Sequence, residues 1–565
     1  MNDSQHSDCV IIGGVAAGPK CAATLARRRP GATITLFQKE ELLSYGTCGL
    51  PFFASGDISS LEELLITSYG VARDADFFAK AKSFTAITAA EITTIDREKK
   101  TITGRMIHTG ETFTHGYDKL VITTGANPTP PPFPVADCPN VRTFTRPADA
   151  AYFRRQAEQG KIGKAVVIGG GLIGCEVIQS CADLWGIETT LIEIKNHVLP
   201  YVLDDEMAEI VEREIIRHDV KLASGVGVEK IETDGDGNPV VYVTGREPIS
   251  ADYVFLCLGV RPNITLAQSC GLAIGQTGAI EVNEFMQTSD PDIYAGGDCI
   301  ETVNQLTGRK MYIPMGSMAN RHGRVIAEHI AGCARPFPGA LGAFLVKVFD
   351  LHVGAVGLSE IVANQTGLKT RAAWGSFPDK PDYYPEYKTF SAKMVYDTAD
   401  GQLLGLQAVG SGDICRRIDA FSTHLHFKST VDQLLDFEHG YAPPFSEALD
   451  PLHHLAGIAK AQRAGFVFAN IDHAVKQFGD AFWLDVRETD EVEGQPIPSV
   501  AGTDSINALN IPLKEIKDRV SQLDKTRKIV IICKRGVRSY QAAHILKNAG
   551  FTDVVIVGGG VQTMQ

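Results

Sequence analysis

Short apolar runs, followed by glycines or by a polar residue, divide the first half of the chain into alternating strands and helices. Residues 9–12 form an apolar run that leads into glycines and then into a segment rich in alanine and arginine. Residues 165–168 repeat this order, and each unit continues with a second predicted strand, at 34–37 and 189–192. The pattern predicts two βαβ units with parallel strands.

The first glycine turn predicts a dinucleotide site. Gly13, Gly14 and Gly18 lie between the predicted strand and helix, with Val15 where the usual fingerprint has its second glycine. Glycines allow a tight turn and let the backbone approach a pyrophosphate, whose charge the helix N-terminus favours. Gln38 follows the second strand, where an acidic residue is expected to bind ribose hydroxyls. An amide also hydrogen-bonds a diol, so Gln38 weakens the fingerprint without removing it.

The second glycine turn matches the complete dinucleotide fingerprint. Gly169, Gly171 and Gly174 follow their strand, and Glu193 ends the next strand. A carboxylate at this position repels a 2′-phosphate, which favours NADH over NADPH. Lys195 nearby keeps that preference moderate.

Length and composition indicate a multidomain globular protein. The 565 residues exceed what one core organises, so about three to five domains are expected. A net charge of −13 and the lack of a dense basic run give no reason to bind nucleic acid. The chain has no uninterrupted apolar run long enough to span a membrane and no signal-peptide pattern, and its cysteines form no C-x-x-C pair, so we expect a cytoplasmic protein with mostly reduced thiols.

Two of the twelve cysteines lie in segments that suit reactive thiols. Cys48 comes shortly after the first βαβ unit, where a flavin ring would lie. Cys533 follows the strand predicted at 528–532 and begins a loop whose backbone N–H groups and arginines suit a sulfur anion. Two reactive sulfurs in one chain predict sulfur transfer. The other loop residues are Lys534, Arg535, Gly536, Val537 and Arg538.

With two dinucleotide folds and the late Gly-Asp pair at Asp298, the chain resembles the FAD- and NAD(P)H-dependent pyridine nucleotide-disulfide oxidoreductases over about residues 8–460. The resemblance implies that Asp298 binds the flavin. Family members with paired redox cysteines have four residues between them, but Leu43 and Phe53 stand at that spacing from Cys48. The chain is therefore similar to the single-cysteine branch, which contains coenzyme A-disulfide reductases, NADH peroxidases and oxidases, and coenzyme A-dependent persulfide reductases.

The segment 44–51, followed by two phenylalanines, is most similar to the coenzyme A group. Lys80 or Lys82 would add charge for the phosphates. The sequence departs from this group at Leu449, where a basic residue is usual, and at Asn320, where some relatives have histidine. The residues that the resemblance assigns to coenzyme A are Lys20, Thr24, Arg27, Ser44 and Thr47, the last in place of the usual asparagine.

Two tyrosines and one glutamate complete the first candidate site. In the coenzyme A enzymes, the tyrosines that correspond to Tyr383 and Tyr441 reach the active cysteine from the other subunit, which implies a homodimer. Packing at an interface is the simpler alternative. Glu176 is expected either to orient the nicotinamide or flavin or only to stabilise a helix N-terminus.

From about residue 466 the chain resembles a rhodanese domain. Asp485 and Arg487 carry its Asp-Val-Arg signature after a predicted strand, and residues 533–539 match its active loop. The segment 491–505 departs from the usual pattern and the domain is short, so we expect weak transfer from thiosulfate to cyanide. The fusion favours delivery of sulfane sulfur from Cys533 to the flavin site, because tethering raises the effective concentration.

These observations predict an α/β protein with two interleaved Rossmann-like dinucleotide-binding domains, an α+β dimerisation domain and a C-terminal α/β rhodanese domain. The expected boundaries are 1–120 with 250–325 for FAD, 121–249 for NAD, 326–455 for dimerisation, and 466–565 for rhodanese.

The predicted function is NADH-dependent reduction of persulfide, polysulfide or coenzyme A-bound sulfane sulfur to sulfide through Cys48. Cys533 would deliver or accept the sulfur, with FAD, NADH and coenzyme A as cofactors. The alternatives are a coenzyme A-disulfide reductase, an NADH peroxidase or oxidase, and a flavoprotein whose tail only binds sulfur. The adjacent His453 and His454 face different directions on a helix, and we expect no metal site.

Overall fold

The computed structural model describes residues 5–333, 335–497 and 506–564, and the chain divides into two compact units. Unit 1 comprises Met1–Asn196 and His218–Ala340, and unit 2 comprises His197–Arg217 and Leu341–Gln565. Within the described ranges, no helix combines the length and the apolar character needed to cross a membrane.

The strands of unit 1 form one large mixed sheet, one parallel sheet and smaller antiparallel ribbons. In chain order they are β1 (Gln5–Ile12), β2 (Ile34–Phe37), β3 (Thr85–Ile87), β4 (Ala90–Asp96), β5 (Thr101–Met106), β6 (Thr112–Ile122), β7 (Ala126–Pro128), β8 (Val141–Thr143), β9 (Lys164–Ile168), β10 (Glu188–Glu193), β11 (Lys221–Ser224), β12 (Val228–Thr233), β13 (Pro239–Val243), β14 (Ile249–Ser250), β15 (Tyr253–Leu256), β16 (Val260–Pro262), β17 (Ile293–Ala295), β18 (Thr302–Val303) and β19 (Lys310–Met311).

The strands of unit 2 form an antiparallel sheet and a parallel sheet. They are β20 (Phe344–Val348), β21 (Leu351–Gly357), β22 (Thr370–Pro378), β23 (Thr389–Asp397), β24 (Leu403–Gly410), β25 (Val467–Ala469), β26 (Phe482–Asp485), β27 (Ala508–Asn510), β28 (Ile529–Ile532) and β29 (Val554–Val557).

The α-helices of both units, in chain order, are α1 (Ala17–Arg28), α2 (Leu50–Ser55), α3 (Ala75–Lys82), α4 (Pro147–Glu158), α5 (Leu172–Gln179), α6 (Asp205–Arg217), α7 (Thr265–Ser269), α8 (Gly316–Ile330), α9 (Glu360–Gln365), α10 (Cys415–His426), α11 (Val431–Leu435), α12 (Pro451–Arg463), α13 (Ile471–Phe478), α14 (Thr489–Gly494), α15 (Ile516–Arg519) and α16 (Val537–Asn548).

The large sheet of unit 1 has the order β3-β2-β1-β6-β5-β4, and β17 also pairs with β6. β1, β2, β6 and β17 are parallel, with Ile12 opposite both Phe37 and Ile122, and Ala295 opposite Ile122. The carboxyl ends of these four strands therefore meet at one edge, where α/β sheets place their ligands. β1 begins at Gln5, earlier than its apolar run predicts, because its polar Ser7 is buried and hydrogen-bonded to Thr35 and His115.

The second sheet of unit 1 is parallel, with the order β11-β10-β9-β15-β8. Ile168 at the end of β9 lies opposite Ile192 of β10 and Leu256 of β15. This repeats the arrangement of the first sheet, so the second glycine turn also opens at the carboxyl edge.

The parallel sheet of unit 2 has the order β25-β29-β28-β26-β27. Alternate residues of its central strand enter two different cores, Ile529 and Ile531 on one face and Val530 and Ile532 on the other. Both faces are covered, which explains why this strand is apolar without alternation. Cys533 follows directly after it.

Helix α6 lies in unit 2, although the sequence on both sides of it belongs to unit 1. Lys393 of β23 is buried and pairs with Asp204 at 2.9 Å, Glu360 at 2.8 Å, and Glu206. Burial opposes the charge, but Glu206, Asp204 and Glu360 still raise the pKa of Lys393. The lysine therefore fixes the start of α6 on the antiparallel sheet.

We expect Lys393→Met to lower the free energy of unfolding of unit 2 by about 3–5 kcal/mol, because buried Asp204 loses its counter-ion. Urea unfolding followed by tryptophan fluorescence measures this change. Lys388→Met, at an exposed position, is the matched control. Equal stability of the two variants would contradict the assigned role of Lys393.

Candidate active site

The first glycine turn can be formed only by glycine at two of its positions. A Cβ on Gly13, whose φ is +111°, would lie 2.1 Å from the Thr123 carbonyl oxygen. A Cβ on Gly18 would lie 2.0 Å from the Gly13 oxygen. The Gly14 N–H donates to Oε1 of Gln38 at 2.7 Å.

The second glycine turn has the same construction. Cβ atoms on Gly169 and Gly174 would lie 2.3 Å from the Cys257 oxygen and 1.9 Å from the Gly169 oxygen. The Gly170 N–H donates to Oε2 of Glu193 at 2.7 Å. Gln38 therefore accepts from the first turn as Glu193 accepts from the second, which gives the physical reason why an amide can replace the expected acid. A Cβ on Gly171 would meet no atom within 4 Å, so this turn faces open space.

Asp298 lies just beyond β17, at the same edge of the sheet as Gly13. Its Oδ1 is buried and has no hydrogen-bond partner among the described residues. Burial raises the pKa of Asp298 to about 6. Since a buried acceptor without a donor is costly, the site suits a ligand that brings hydroxyl groups. The ribityl hydroxyls and pyrophosphate of FAD match this acceptor and the first glycine turn.

Cys48 is exposed, in the single helical turn Thr47–Gly49 before α2. The loop that carries it begins at the first glycine turn, because the Ser44 N–H donates to the Gly14 oxygen at 2.8 Å. Gly46 N–H donates to Leu64 O at 3.0 Å and closes the other side of the loop. The thiol is thus tied through the backbone to the predicted flavin cradle.

A basic cleft of about 460 Å³ lies between α1 and α8. Arg27 donates to Thr24 Oγ1 at 3.2 Å, and Arg28 pairs with Glu328 at 3.5 Å. Four cations against one carboxylate favour a polyanionic ligand such as a nucleotide with several phosphates. The cleft is lined by Lys20, Thr24, Arg27, Arg28, Arg324 and Glu328.

The cleft brings together three residues that the sequence assigned to coenzyme A, namely Lys20, Thr24 and Arg27, but Ser44 and Thr47 do not line it. Lys80 and Lys82 do not line it either. Lys80 pairs with Asp76, and Lys82 lies over the ring of Phe77.

The cleft also contains three residues that the sequence did not predict, Arg28, Arg324 and Glu328. A Cβ on Gly323 would lie 2.4 Å from the Ala17 oxygen, so this glycine lets α8 approach α1 and brings Arg324 to the cleft. A glycine inside an otherwise regular helix was the available signal.

Tyr383 and Tyr441 lie in unit 2, with 72% and 52% of their surfaces exposed. Desolvation, the charge of Tyr441 and the hydrogen bond between the two phenols raise the pKa of Tyr383. The two predicted tyrosines are therefore neighbours. Exposed Phe445 and Leu449 lie close to Tyr441 in the sequence.

The loop after β28 curves around the Cys533 sulfur. The thiol is almost fully buried, and the Gly536 N–H donates to Sγ at 3.0 Å. Gly536 has a φ of +95°, which favours glycine in this curve. Lys534 and Val537 are exposed on the loop, and Ser539 Oγ is buried without a partner among the described residues.

Both loop arginines are bound by carboxylates. Arg538 makes a two-point contact with Glu491 of α14, with one N–O distance of 2.9 Å, and its hydrogen bond lowers the pKa of Glu491 to about 2. Arg535 pairs with Asp382 at 3.0 Å. Much of the positive charge that we assigned to the thiol is therefore balanced. Of the segment 491–505, residues 498–505 lie outside the described ranges.

Asp485 and Arg487 form a buried ion pair beside this loop. Arg487 Nη2 lies 2.6 Å from Asp485 Oδ2, and its Nη1 donates to the Gln495 oxygen at 2.8 Å. Val486 N–H donates to Ile532 O, next to Cys533. The pair therefore holds the strand end against which the Cys533 loop begins, and it does not itself face the sulfur atom in any described contact.

Three family models match successive parts of the chain. Residues 7–321 match the pyridine nucleotide-disulphide oxidoreductases, residues 344–453 match the dimerisation domain of that group, and residues 471–565 match rhodanese-like domains. These matches confirm the resemblance and the fold class that the sequence predicts.

Known proteins resemble the chain over nearly its whole length. The chain is 36% identical to an NAD-dependent persulfide reductase from A. fulgidus, with a TM-score of 0.92 over 99% of this chain and 100% of the other. The reduced Bacillus anthracis protein CoADR-RHD is 33% identical, with a TM-score of 0.90 over 99% and 97% of the two chains. A Pyrococcus horikoshii protein named NAD(P)H coenzyme A polysulfide/persulfide reductase is 34% identical over 81% of this chain and 100% of its own.

Glu176 on α5 gives a pH-dependent prediction. Burial raises its pKa from about 4.5 to about 7. The carboxyl group ionises in the unfolded chain before it does so in the folded one, so it costs the flavin-free protein stability as the pH rises from 4.5 through 7. We expect Glu176→Gln to be more stable than the wild type above pH 7 by up to about 3 kcal/mol, and similar to it near pH 4.5.

Urea unfolding of the flavin-free protein across this pH range measures the difference. Glu98→Gln, at an exposed surface position, controls for the loss of a carboxyl group. A constant difference between the Glu176→Gln variant and the wild type at every pH would contradict the raised pKa.

Proposed function

The chain belongs to the pyridine nucleotide-disulphide oxidoreductases, and on this premise we propose that it reduces persulfide, polysulfide or coenzyme A-bound sulfane sulfur to sulfide with electrons from NADH. The observation that carries this proposal is the presence in one chain of two separate thiols in reactive settings. Exposed Cys48 is tied to the first glycine turn, and Cys533 lies in a loop that donates an N–H to its sulfur.

When bound, FAD supplies the two-electron redox chemistry. The chain's own part begins at Cys48, whose thiolate attacks the inner sulfur of a persulfide and releases hydrosulfide. The two electrons from NADH then cleave the resulting mixed disulfide, which returns Cys48 as a thiolate and frees the carrier thiol. With a disulfide as substrate the same attack releases a thiol, so coenzyme A-disulfide reduction is the second candidate.

The proposed role of Tyr383 and Tyr441 is to donate hydrogen bonds to the sulfur anion that leaves. Their exposure and that of Phe445 and Leu449, within the region that matches the dimerisation model, support a homodimer in which they reach the partner's site. We also retain as proposals the domain boundaries stated above and a cytoplasmic location, where the thiols of the chain stay reduced.

The basic cleft is the proposed site for the phosphates of coenzyme A. Four cations surround a space large enough for a nucleotide, and Arg324 and Arg28 add charge to the residues that the sequence predicted. The names of the relatives from Pyrococcus horikoshii and Bacillus anthracis support the same ligand.

We expect Cys48→Ser to abolish NADH-dependent reduction of both persulfide and coenzyme A disulfide. Cys533→Ser should keep disulfide reduction but lower sulfide release from polysulfide by about tenfold or more, because the tethered donor is lost. Anaerobic NADH oxidation with sulfide quantified measures both. If the wild type turned over only coenzyme A disulfide, or only hydrogen peroxide, reduction of that substrate would replace the proposed reaction. If Cys533→Ser released sulfide from polysulfide at the wild-type rate, the C-terminal domain would only bind sulfur and would not deliver it.

Arg324→Ala should raise the KM for coenzyme A persulfide roughly three- to tenfold with little change in kcat, because a phosphate contact is lost away from the reacting sulfur. Steady-state kinetics with a small persulfide that lacks phosphates provides the internal comparison, and its KM should not change. Arg309→Ala, at an exposed arginine outside the cleft lining, is the matched control. An unchanged KM for both substrates would exclude the cleft as the phosphate site.

A further inference from the structure

The Cys533 loop is attached to the segment that carries Tyr383. Arg535, two residues after the thiol, lies 3.0 Å from Asp382, and Asp382 immediately precedes Tyr383. Both side chains belong to unit 2, and Arg535 is the less exposed of the two. The Arg535 guanidinium, which the sequence predicts to face the sulfur, thus pairs instead with a carboxylate of the region around the antiparallel sheet.

A second carboxylate interacts electrostatically with the same guanidinium. Burial raises the pKa of Glu447, while the charge of Arg535 opposes this shift and that of Asp382 adds to it. Arg535 therefore interacts with two acidic groups that both come from the region matching the dimerisation model, with Asp382 in an ion pair and with Glu447 through its charge. The electrostatic attraction holds the loop at one position on that region.

The back of the loop is also supported from the antiparallel sheet. Cβ atoms on Gly558 and Gly559 would lie 3.1 Å from the Trp374 oxygen and 2.8 Å from its Nε1, so these glycines lie directly against the tryptophan. The next residues contact the loop, since a Cβ on Gly560 would lie 2.2 Å from the Cys533 oxygen. Trp374 therefore packs against the glycine segment, and this segment in turn packs against the Cys533 loop.

We propose that Arg535 and Asp382 are a positioning pair that holds sulfane sulfur on Cys533 next to Tyr383, so that an acceptor thiol bound there can receive it. The proposal rests on the proposed function. In the step concerned, the acceptor thiolate attacks the outer sulfur of the Cys533 persulfide, the new S–S bond forms as the old one breaks, and the electron pair remains on the Cys533 thiolate. The transfer requires no oxidant or reductant.

The test uses the full-length holoenzyme without NADH. Thiosulfate loads Cys533 and releases sulfite, after which either coenzyme A or cyanide is added and the persulfide or thiocyanate is quantified. Because cyanide is small, its attack on the Cys533 persulfide does not require the segment that carries Tyr383. We expect Asp382→Asn to slow transfer to coenzyme A roughly two- to fivefold, as for loss of one partly exposed ion pair, and to leave transfer to cyanide unchanged.

Exchanging the charges of Arg535 and Asp382 tests whether restoring the ion pair restores transfer. The double variant Asp382→Arg with Arg535→Asp should transfer to coenzyme A faster than Arg535→Asp alone. Asp432→Asn, which removes a carboxylate near Lys460 and Arg463 instead, is the matched control and should behave as the wild type. Transfer to coenzyme A at the wild-type rate in Asp382→Asn, or an equal loss with both acceptors, would overturn the positioning role.

A separate measurement distinguishes this proposal from the proposed function. If the wild type transfers no sulfur to coenzyme A, the delivery of sulfur by Cys533 fails, whereas reduction through Cys48 is decided by the NADH oxidation assay. Hydrogen exchange of residues 533–539 then decides the role of the pair. Faster exchange in Asp382→Asn than in the wild type supports a pair that fixes the loop, and unchanged exchange overturns it.

Discussion

The close approach of backbone to backbone at the two glycine turns is the constraint on which the first unit depends. Gly18 and Gly174 each bring a helix start so near the preceding turn that a single Cβ would overlap a carbonyl oxygen, at 2.0 Å and 1.9 Å. This contact fixes where α1 and α5 begin. The Cys48 loop is then tied to the first turn through Ser44, and the basic cleft is built on the side of α1. The first glycine turn and α1 therefore position the Cys48 thiol, the predicted flavin site and the basic cleft.

Polar side chains complete the two dinucleotide sites, and the described residues do not fill all of their hydrogen-bonding positions. Gln38 and Glu193 each bind a glycine N–H, whereas Asp298 keeps a buried oxygen without a partner among the described residues. Such a group costs stability in the empty fold and is compensated when a ligand donates to it. The same residues thus connect the stability of unit 1 with the binding of its cofactor.

Carboxylates control the charge of the second sulfur site. Arg538 is held by Glu491 and Arg535 by Asp382, so neither guanidinium is free to act on the thiol alone. Among the described residues, the backbone N–H of Gly536 contacts the sulfur directly and acts as a local donor. This arrangement makes the position of the loop, rather than a large local charge, the main property that the surrounding residues impose on Cys533.

The sequence by itself determined the elements and the chemistry that depend on local spacing. The strand-glycine-helix order predicted both turns, and the loop after residue 532 predicted a thiol with backbone donors, because these features arise from residues close together in the chain. Tertiary structure decided which distant groups complete each site. Arg324 joins the cleft only because Gly323 lets α8 contact α1, and Asp382 reaches Arg535 across 153 positions. An arginine binds the nearest opposite charge in space, which can be a thiolate or a carboxylate. The local sequence does not show which of these groups the fold brings close to it.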